Sequence, residues 1–506
     1  MLWVALELPS LPLQIAERAG PTQQPLVISE GTTQRPLVAC ANAAARDAGI
    51  RVGQAVAAAK ALAGELKVIE RDPAAEREAL ERLAAWAGQF TPMSCIDGPG
   101  IVLDVESSLK LFDGHAKLTA AIQRGVRDLG FHATIGVAPT ALAARLFARA
   151  EAQGRAMRSC IALADLSERL AELPVFLLEW PAKTLAHLTD LGLLRLRDLF
   201  ALPAEGIARR FGPETAHALD QLRGRLPDPR EPYVPPARFR SRLELPADAE
   251  SVEALLFPLR RLLAEMEGYM RGRGVGVQKL TVVLEHFRKE RTRMNLDFAS
   301  PEREADFILA IAREKLGRLT LPAATVAVSL RADALLAFTP RASTWLPGAE
   351  EQALDAARLL ERLAARMGKE RVFGIAIAND HRPEKDWAPA YAGATTLPAG
   401  ATTRHPGRRP GEGRDPISPR RDYPTSAPRP AWLLNRPHRL ITHEGLPSHQ
   451  GELTLAAGPE RIEAGWWDGE EVRRDYYVAS NLRGETFWIF REHRDPESWF
   501  LHGVFA

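Results

Sequence analysis

The first residues, Leu2-Trp3-Val4-Ala5-Leu6-Glu7, read as a buried β-strand that ends on a carboxylate, with Pro9 and Pro12 just beyond it. After Pro25-Leu26-Val27-Ile28 and Pro36-Leu37-Val38-Ala39-Cys40, the pattern predicts short strands flanking an Ala-rich helix, a turn at Gly49 to Gly53 and a second helix. A long helix is expected from about Pro73 to Phe90, then a strand–turn–strand hairpin over Cys95 to Ser107, and a helix from about Gly114 to Leu129. Phe131 to Ala138 reads as a strand, and the segment after it as a helix with Pro139 near its start. Strands and helices alternate to residue 165, which is an α/β or α+β pattern.

Short leucine-rich helices with tight turns follow, up to about Arg225. Prolines 227, 229, 232, 235 and 236 then mark a linker. Residues 237 to about 340 read as a compact α+β unit: a helix from about Val252 to Arg271, two strands, a helix from about Glu302 to Leu316, and a strand. A helix and a strand come next. The stretch from about Gly393 to Pro430 is rich in Pro, Gly, Arg and Thr and has no hydrophobic period, so it is expected to be disordered or extended. From Ala431 onward the chain is dense in aromatics and reads as β-rich.

Bulk numbers narrow the classes. A chain of 506 residues exceeds one compact core, so three or more domains are expected. Lys and Arg total 66 against 64 for Asp and Glu, so any nucleic-acid surface must come from local clustering rather than net charge. Cys40, Cys95 and Cys160 lie far apart, without zinc-ligand spacing, and read as reduced thiols of a cytoplasmic protein. Glu7 interrupts the N-terminal apolar run, which argues against a signal peptide, and no stretch of some 20 uncharged apolar residues predicts a membrane span. No cofactor is expected.

Several residues are candidates for chemistry or binding. The Leu191-Gly192-Leu193 turn suits a helical hairpin whose backbone N–H groups, at Gly192 and Leu193, face a DNA phosphate; Arg195, Arg197, Arg209 and Arg210 surround it. The bland alternative is a plain αα-hairpin. Arg271, Arg273 and Lys279 flank glycines before a strand and are candidate phosphate contacts, or else a solvated helix end. Trp466, Trp467, Tyr476, Tyr477, Trp488 and Trp499 crowd one short block, either as a partner-binding surface or as the core of a small β-domain.

The order of parts resembles that of Y-family (DinB/UmuC-like) translesion DNA polymerases. Ile135-Gly136-Val137-Ala138-Pro139-Thr140 with the helix after it resembles their palm, Ala43 to Leu62 their fingers, and Asp190 to Leu202 the helix-hairpin-helix of their thumb. The aromatic tail is similar to the C-terminal region of a polymerase-like component of a bacterial damage-induced mutagenesis complex. The resemblance implies an α+β multidomain fold. Its parts are palm (1–25 and 76–165), fingers (26–75), thumb (166–230), little finger (237–345), a helix-strand extension (346–390), a disordered linker (391–430) and an aromatic-rich β C-terminal region (431–506).

Active members of that family hold two metal ions on an Asp-x-Asp of the first strand and an Asp-Glu pair of a second. Here Asp-x-Asp matches Ala5-Leu6-Glu7, and the Asp-Glu slots fall on Pro99 and Gly100, or on Asp97 and Gly98. The aromatic gate matches Ser10. The Tyr-x-x-Arg of the nucleotide site reads Ala43-Ala44-Ala45-Arg46, and Arg145 stands for the family's lysine, a degenerate nucleotide site. Glu7, Asp97 and Asp104 form a relocated metal site, or are a strand end, a turn residue and a local cap; the second reading is preferred. The resemblance thus implies a catalytically inactive scaffold of damage-induced translesion synthesis, nucleoid-associated, with an active polymerase as the alternative. Its implied partners are primer-template DNA, the sliding clamp, an ImuA-like RecA-related protein and an error-prone α-type polymerase. Trp345 and Leu346 stand where a clamp-binding peptide is expected, and Leu335, Leu336 and Phe338 read as a packed strand end.

Overall fold

The computed structural model describes residues 1–18, 20, 22–32, 34–155, 159–339, 349–368, 371–372, 374–377, 380–385, 387–390, 429–443 and 445–505. They fall into two compact units, Met1–Arg366 and Met367–Ala506.

The first unit opens with β1 (Trp3–Glu7) and α1 (Leu11–Glu17). A small sheet follows from β2 (Leu26–Thr32), β3 (Arg35–Ala41) and, after α2 (Ala43–Asp47) and α3 (Val56–Leu62), β4 (Lys67–Glu70), in the order β3-β2-β4. Val27, Val38, Ala45, Ile50 and Val56 close its core. The chain then forms α4 (Pro73–Ala87), β5 (Ser94–Asp97), β6 (Gly100–Asp104), α5 (His115–Asp128), β7 (Thr134–Ala138) and α6 (Ala141–Ala152). Asp72 caps α4 by accepting the N–H groups of Ala74 and Ala75, and Thr140 caps α6 through Ala143. The central sheet runs β5-β6-β1-β7, every pair antiparallel.

That sheet is covered on both faces, so its strands are mostly apolar, with polar residues toward their ends, and β1 is buried at all five positions. Val4 and Leu6 pack with Leu80, Leu83 and Ile122 of α4 and α5. Trp3 and Ala5 pack with Phe147 and the alanines of α6. Gly136 makes the second contact possible, because a Cβ there would lie 2.0 Å from the Ala144 carbonyl oxygen.

Five short helices follow: α7 (Leu163–Ala171), α8 (Ala182–Asp190), α9 (Leu196–Phe200), α10 (Ala204–Phe211) and α11 (Pro213–Leu222). Their leucines join the cluster of α6. Beyond the proline stretch come β8 (Phe239–Ala249), α12 (Val252–Arg273), β9 (Val275–His286), β10 (Lys289–Glu302), α13 (Ala305–Leu316), β11 (Thr325–Ala332), β12 (Leu335–Ala337) and α14 (Ala349–Met367). The second sheet is ordered β10-β9-β11-β8, with β12 on β9. Leu280, Val282, Leu284, Leu296, Val328 and Leu330 face α12 and α13. Strand β12 places Leu335 and Leu336 at a strand end, opposite Val277 and Gly276.

The second unit contains the pair β13 (Gly374–Ile377) and β14 (Trp387–Ala390), then β15 (Trp432–Arg439), the ribbon β16 (Ile441–His443) and β17 (Leu446–Ser448), and β18 (Thr454–Ala464), β19 (Val472–Ser480), β20 (Thr486–Glu492) and β21 (Asp495–Val504). Its main sheet is antiparallel in the order β15-β21-β20-β19-β18. The aromatics of the tail therefore alternate across a sheet with two apolar faces. Tyr477, Ile489 and Trp499 lie on one, and Tyr476, Trp488 and Phe490 on the other.

Candidate functional site

At the end of β1, Glu7 lies opposite Gly100 of β6 and Thr134 of β7 and is only 7% exposed. Arg145 and Arg149, one turn apart on α6, reach the same strand ends. The Arg149 Nε donates to Glu7 Oε1 at 3.1 Å, its Nη1 to the Leu177 carbonyl at 3.2 Å, and its Nη2 to Glu179. Arg145 Nη1 donates to Asp97 Oδ1 at 2.5 Å and Nη2 to Glu179 at 3.5 Å. Arg230, from the proline stretch, donates to the other oxygen of Asp97 and forks onto Asp228 at 2.9 and 2.7 Å. Burial pushes the Glu7 carboxyl above its usual range, against the pull of Arg149 and then Arg145. Burial also works against the Arg230 cation, but Asp228 and Asp97 outweigh it and raise its pKa. The result is an ion-pair network of three guanidiniums and four carboxylates around the hairpin turn.

The antiparallel register separates the residues proposed for a relocated metal site. Asp104 pairs with Trp3 at the opposite end of β6, where its side chain accepts the Glu106 N–H at 3.2 Å. Four residue steps of strand, about 13 Å, separate it from Gly100. Glu7 and Asp97 converge; Asp104 does not join them. Ala5 sits one pleat deeper than Glu7, opposite Val102 and Gly136, and is fully buried in the apolar cluster of α6. Among the described residues no group of three or more His, Cys, Asp and Glu side chains is arranged to hold a metal ion.

The degenerate nucleotide site divides. Arg145 is paired with the carboxylates of Asp97 and Glu179. Arg46 lies on α2 of the three-stranded sheet, with Nη1 on the Ala41 carbonyl at 2.7 Å. Ser10 starts α1 with a positive φ of 55° and is exposed.

The helical hairpin is present between α8 and α9, and Gly192 takes φ 73°. Its N–H groups, however, are used internally. Gly192 donates to Thr189 and Leu193 to Leu188, both at 2.9 Å, closing the end of α8. Leu194 and Arg195 donate to Asp198 Oδ2 at 3.1 and 2.9 Å. The expected phosphate contact through the Gly192 and Leu193 N–H groups is therefore not offered by this geometry. Arg195 and Arg197 both pair with Glu172. Arg209 and Arg210 are exposed at the end of α10.

Arg271 is paired with Glu267 one turn back. Arg273, although exposed, donates to the Pro235 and Pro236 carbonyls at 3.0 and 2.8 Å and so holds backbone. Lys279 is exposed on β9 opposite Asp297. It belongs to a larger surface. One face of the second sheet is closed by α12 and α13, and the other carries Arg240 and Arg242 of β8, Arg331 of β11 and Arg291 and Arg293 of β10. Thr281 and Asn295 form a cross-strand hydrogen bond between them at 3.0 Å. Arg240 pairs with Asp333 and Arg242 with Glu285, which leaves the face polar and rich in guanidinium.

A family model described as "impB/mucB/samB family" matches residues 10–149. The curated Protein ImuB of Caulobacter vibrioides, in two strains, is 29% identical over 496 residues, covering 90% of this chain and all of the relative. The chain is similar to ImuB over nearly its whole length. Among solved structures, the crystal structure of DinB from Sulfolobus solfataricus matches at 18% identity and a TM-score of 0.39, covering 67% of this chain and all of that one. An insertion ternary complex of Dbh DNA polymerase covers 66% of this chain and 98% of its own at 18% identity and a TM-score of 0.39.

In the tail the aromatics split into two roles. Tyr476 and Tyr477 are buried, as are Trp488 and Trp499, so both tyrosines are core and not a partner surface. Trp466 and Trp467 are 76% and 52% exposed, edge to face at 5.4 Å, in the turn between β18 and β19. Beneath them Arg382 bridges Asp380 and Asp468 and lies 5.6 Å from the Trp467 ring. Trp345, Leu346 and the segment 391–428 lie outside the described residues. Sequence reasoning missed Arg149, Glu179, Asp228 and Arg230, although the Arg145-x-x-x-Arg149 spacing was a visible signal. It also missed the open sheet face, which the two-residue spacing of Arg238, Arg240 and Arg242 and of Arg291 and Arg293 announces.

Proposed function

We propose that the chain is a polymerase-like scaffold of a damage-induced translesion (mutasome) complex that transfers no nucleotide. The observation that carries this reading is the guanidinium network at the end of β1. Two-metal phosphoryl transfer needs carboxylates free to ligate cations roughly 3.5–4 Å apart. Here Arg145, Arg149 and Arg230 neutralise Glu7, Asp97 and Glu179 from within the chain. Such a donor set does not fit a pair of Mg²⁺ ions. In this reading the first sheet with α4–α6 serves as a palm, residues 26–75 as fingers, the helices after it as a thumb, and the second sheet as a little finger.

The open face of the second sheet is the proposed DNA surface. A concave or flat face of arginines, lysine, threonine and asparagine suits phosphate contacts without base selection. Lys279 belongs to it; Arg271 and Arg273 support its edge. The sliding clamp is assigned to the Trp345-Leu346 segment. The ImuA-like RecA-related protein and the error-prone α-type polymerase are assigned to the tail, where Trp466 and Trp467 are the exposed anchors. The setting is cytoplasmic and nucleoid-associated; no described helix is long and apolar enough to cross a membrane.

The test is primer extension by the purified protein with Mg²⁺ or Mn²⁺. No template-dependent extension is expected at any metal concentration. Extension that disappears in Glu7→Ala would overturn the reading.

A further inference from the structure

The proline stretch 226–237, which reads as a loose linker in sequence, is tied down along its length. Arg230 forks onto Asp228 and donates to Asp97 at the hairpin turn of the first sheet, with both partners of that pair mostly buried. Three residues on, the Tyr233 N–H donates to the Ser94 carbonyl at 2.7 Å, at the start of β5. The Tyr233 ring packs on the apolar cluster beneath β1 and β6. At the far end the Pro236 carbonyl accepts from Tyr269 Oη at 2.5 Å, and Arg273 holds the Pro235 and Pro236 carbonyls. Both Tyr269 and Arg273 are on α12 of the second sheet's domain.

A proline-rich segment has few N–H groups to offer and a stiff backbone, so a few ties fix its course. The same α12 is seated directly on the first sheet's α4. A Cβ on Gly268 would lie 2.2 Å from the Trp86 ring, and one on Gly272 would lie 2.7 Å from the Gly88 backbone. Glu265 of α12, 2% exposed, pairs with the equally buried Arg18 at the end of α1. Arg82 of α4 approaches the other Glu265 oxygen at 3.6 Å. A buried pair of this kind adds little net stability but strongly penalises any arrangement that separates the partners.

We propose that the carboxylate turn at Asp97 works as a latch: it holds the proline stretch 226–237 through Arg230, and that stretch together with the α4–α12 seat fixes the arginine-bearing sheet in one orientation relative to the first sheet. The Asp97 carboxylate thus has a mechanical use, its cation being supplied by the chain's own connector. This inference goes beyond the scaffold reading and does not depend on it, since a latch can be present whether or not the open sheet face binds DNA.

The experiment is hydrogen exchange on the full chain, read at the amides of residues 228–234 and above all at Tyr233, with small-angle scattering for the arrangement of the two sheets. Arg230→Gln is expected to speed exchange at Tyr233 at least tenfold and to broaden the scattering-derived size distribution, while exchange in β1 and β6 stays slow. Arg230→Lys should restore part of the protection. Tyr269→Phe, which removes one of the two far ties and leaves Arg273, should loosen Ala237 to Phe239 without affecting β1, and it serves if Arg230→Gln fails to fold. Wild-type Tyr233 exchanging as fast as an unstructured amide, or protection unchanged in both Arg230→Gln and Tyr269→Phe, would overturn the latch. Loss of DNA binding in a variant with intact Tyr233 protection would bear on the DNA surface alone.

Discussion

Arg149 Nε lies 3.1 Å from Glu7 Oε1, inside the first unit and shielded from water. Burial alone would expel that carboxylate's charge, and its pKa is raised despite two guanidiniums. The first prediction follows. Arg149→Met removes the hydrogen-bonded cation and leaves Glu7 facing Arg145 at 3.8 Å. The cost should be about 3 kcal/mol near neutral pH, the range seen when one partner of a buried pair is deleted. Glu7 then has a pKa raised further in the folded state. A carboxyl whose folded pKa is raised loses stability as pH climbs from its unfolded value, and regains it on acidification. The deficit should narrow as pH falls toward about 4. Denaturant melts of both proteins from pH 7 to 4 measure it; a deficit independent of pH would place the loss in packing.

On the scaffold reading, placing Asp and Glu at positions 99 and 100 should not give a polymerase. Gly100 is in close backbone contact: a Cβ there would lie 2.3 Å from the Leu6 carbonyl oxygen and 3.1 Å from Glu7 Oε2. Pro99→Asp with Gly100→Glu therefore forces the β1–β6 pair apart and adds two negative charges near a carboxyl already destabilised by burial. The expected outcome is a protein destabilised by more than about 2 kcal/mol with no primer extension. A stable, extending double variant would contradict both points.

The sheet-face assignment predicts a different pattern from a generic basic patch. Arg293→Glu and Arg331→Glu each stand on the open face and should weaken binding to duplex and primer-template DNA of any sequence alike. Each lost phosphate contact should flatten the slope of log K against log salt by roughly 0.9. Arg271→Glu, whose side chain is held by Glu267, should change the slope less. Fluorescence anisotropy at four salt concentrations decides it. Equal effects at all three positions would return the interface to the helix end.

Much of this fold was legible in the sequence. The hairpin at 94–104, the long helices and the β-rich tail follow from period and turn chemistry. The site was legible only in part: the sequence picks out Glu7, Asp97 and Arg145, not that Arg149 and Arg230 join them. Arg230 is some 130 residues from Asp97, and no local pattern encodes that meeting. The same limit applies to the tail. Tyr476 and Tyr477 are neighbours in sequence but point to opposite faces of β19, and only the strand pairing shows that both faces are covered. Gly192 misled for a local reason: its turn is the geometry of a helix end, and it uses its own N–H there.

The tail's two classes of aromatic should separate in one experiment. Trp466→Ala with Trp467→Ala removes side chains that are mostly in solvent and should leave the melt of the full chain within about 0.5 kcal/mol of wild type. Trp488→Ala empties a fully buried position stacked on Tyr476 at 4.0 Å and should cost about 3–5 kcal/mol. Pull-down of the ImuA-like protein and of the error-prone polymerase should fail for the folded Trp466/Trp467 variant. Retention of both partners by it would move recruitment elsewhere.

The last prediction concerns acid. His502 is fully buried on β21, its Nδ1 2.7 Å from the Tyr476 hydroxyl and its Nε2 without a hydrogen-bond partner. Burial lowers its pKa from 6.5 to about 4; nearby Glu384 pulls the other way and Arg474 adds to the depression. The imidazole is thus neutral in the fold and charged in the unfolded chain below about 6.5. The unfolded state binds the extra proton, so stability of the second unit should fall as pH drops from 6.5 toward 4, by about 3 kcal/mol at most. The carboxylates act in a lower window. Asp468 is held down to about 2 by Arg382, and its contribution is lost only as pH falls from the ordinary carboxyl range toward that value. His502→Phe keeps the ring stack and discards an unpaired buried nitrogen, while the Tyr476 hydroxyl retains Arg474 at 3.2 Å. The variant should match wild type within about 1 kcal/mol at pH 7.5 and lose the limb between 6.5 and 4. It should still unfold in the lower carboxylate window. Hydrogen exchange of the β19–β21 amides in the full chain, followed across pH after correction for intrinsic rates, reads both limbs. An upper limb that survives in His502→Phe would assign the acid sensitivity to another group.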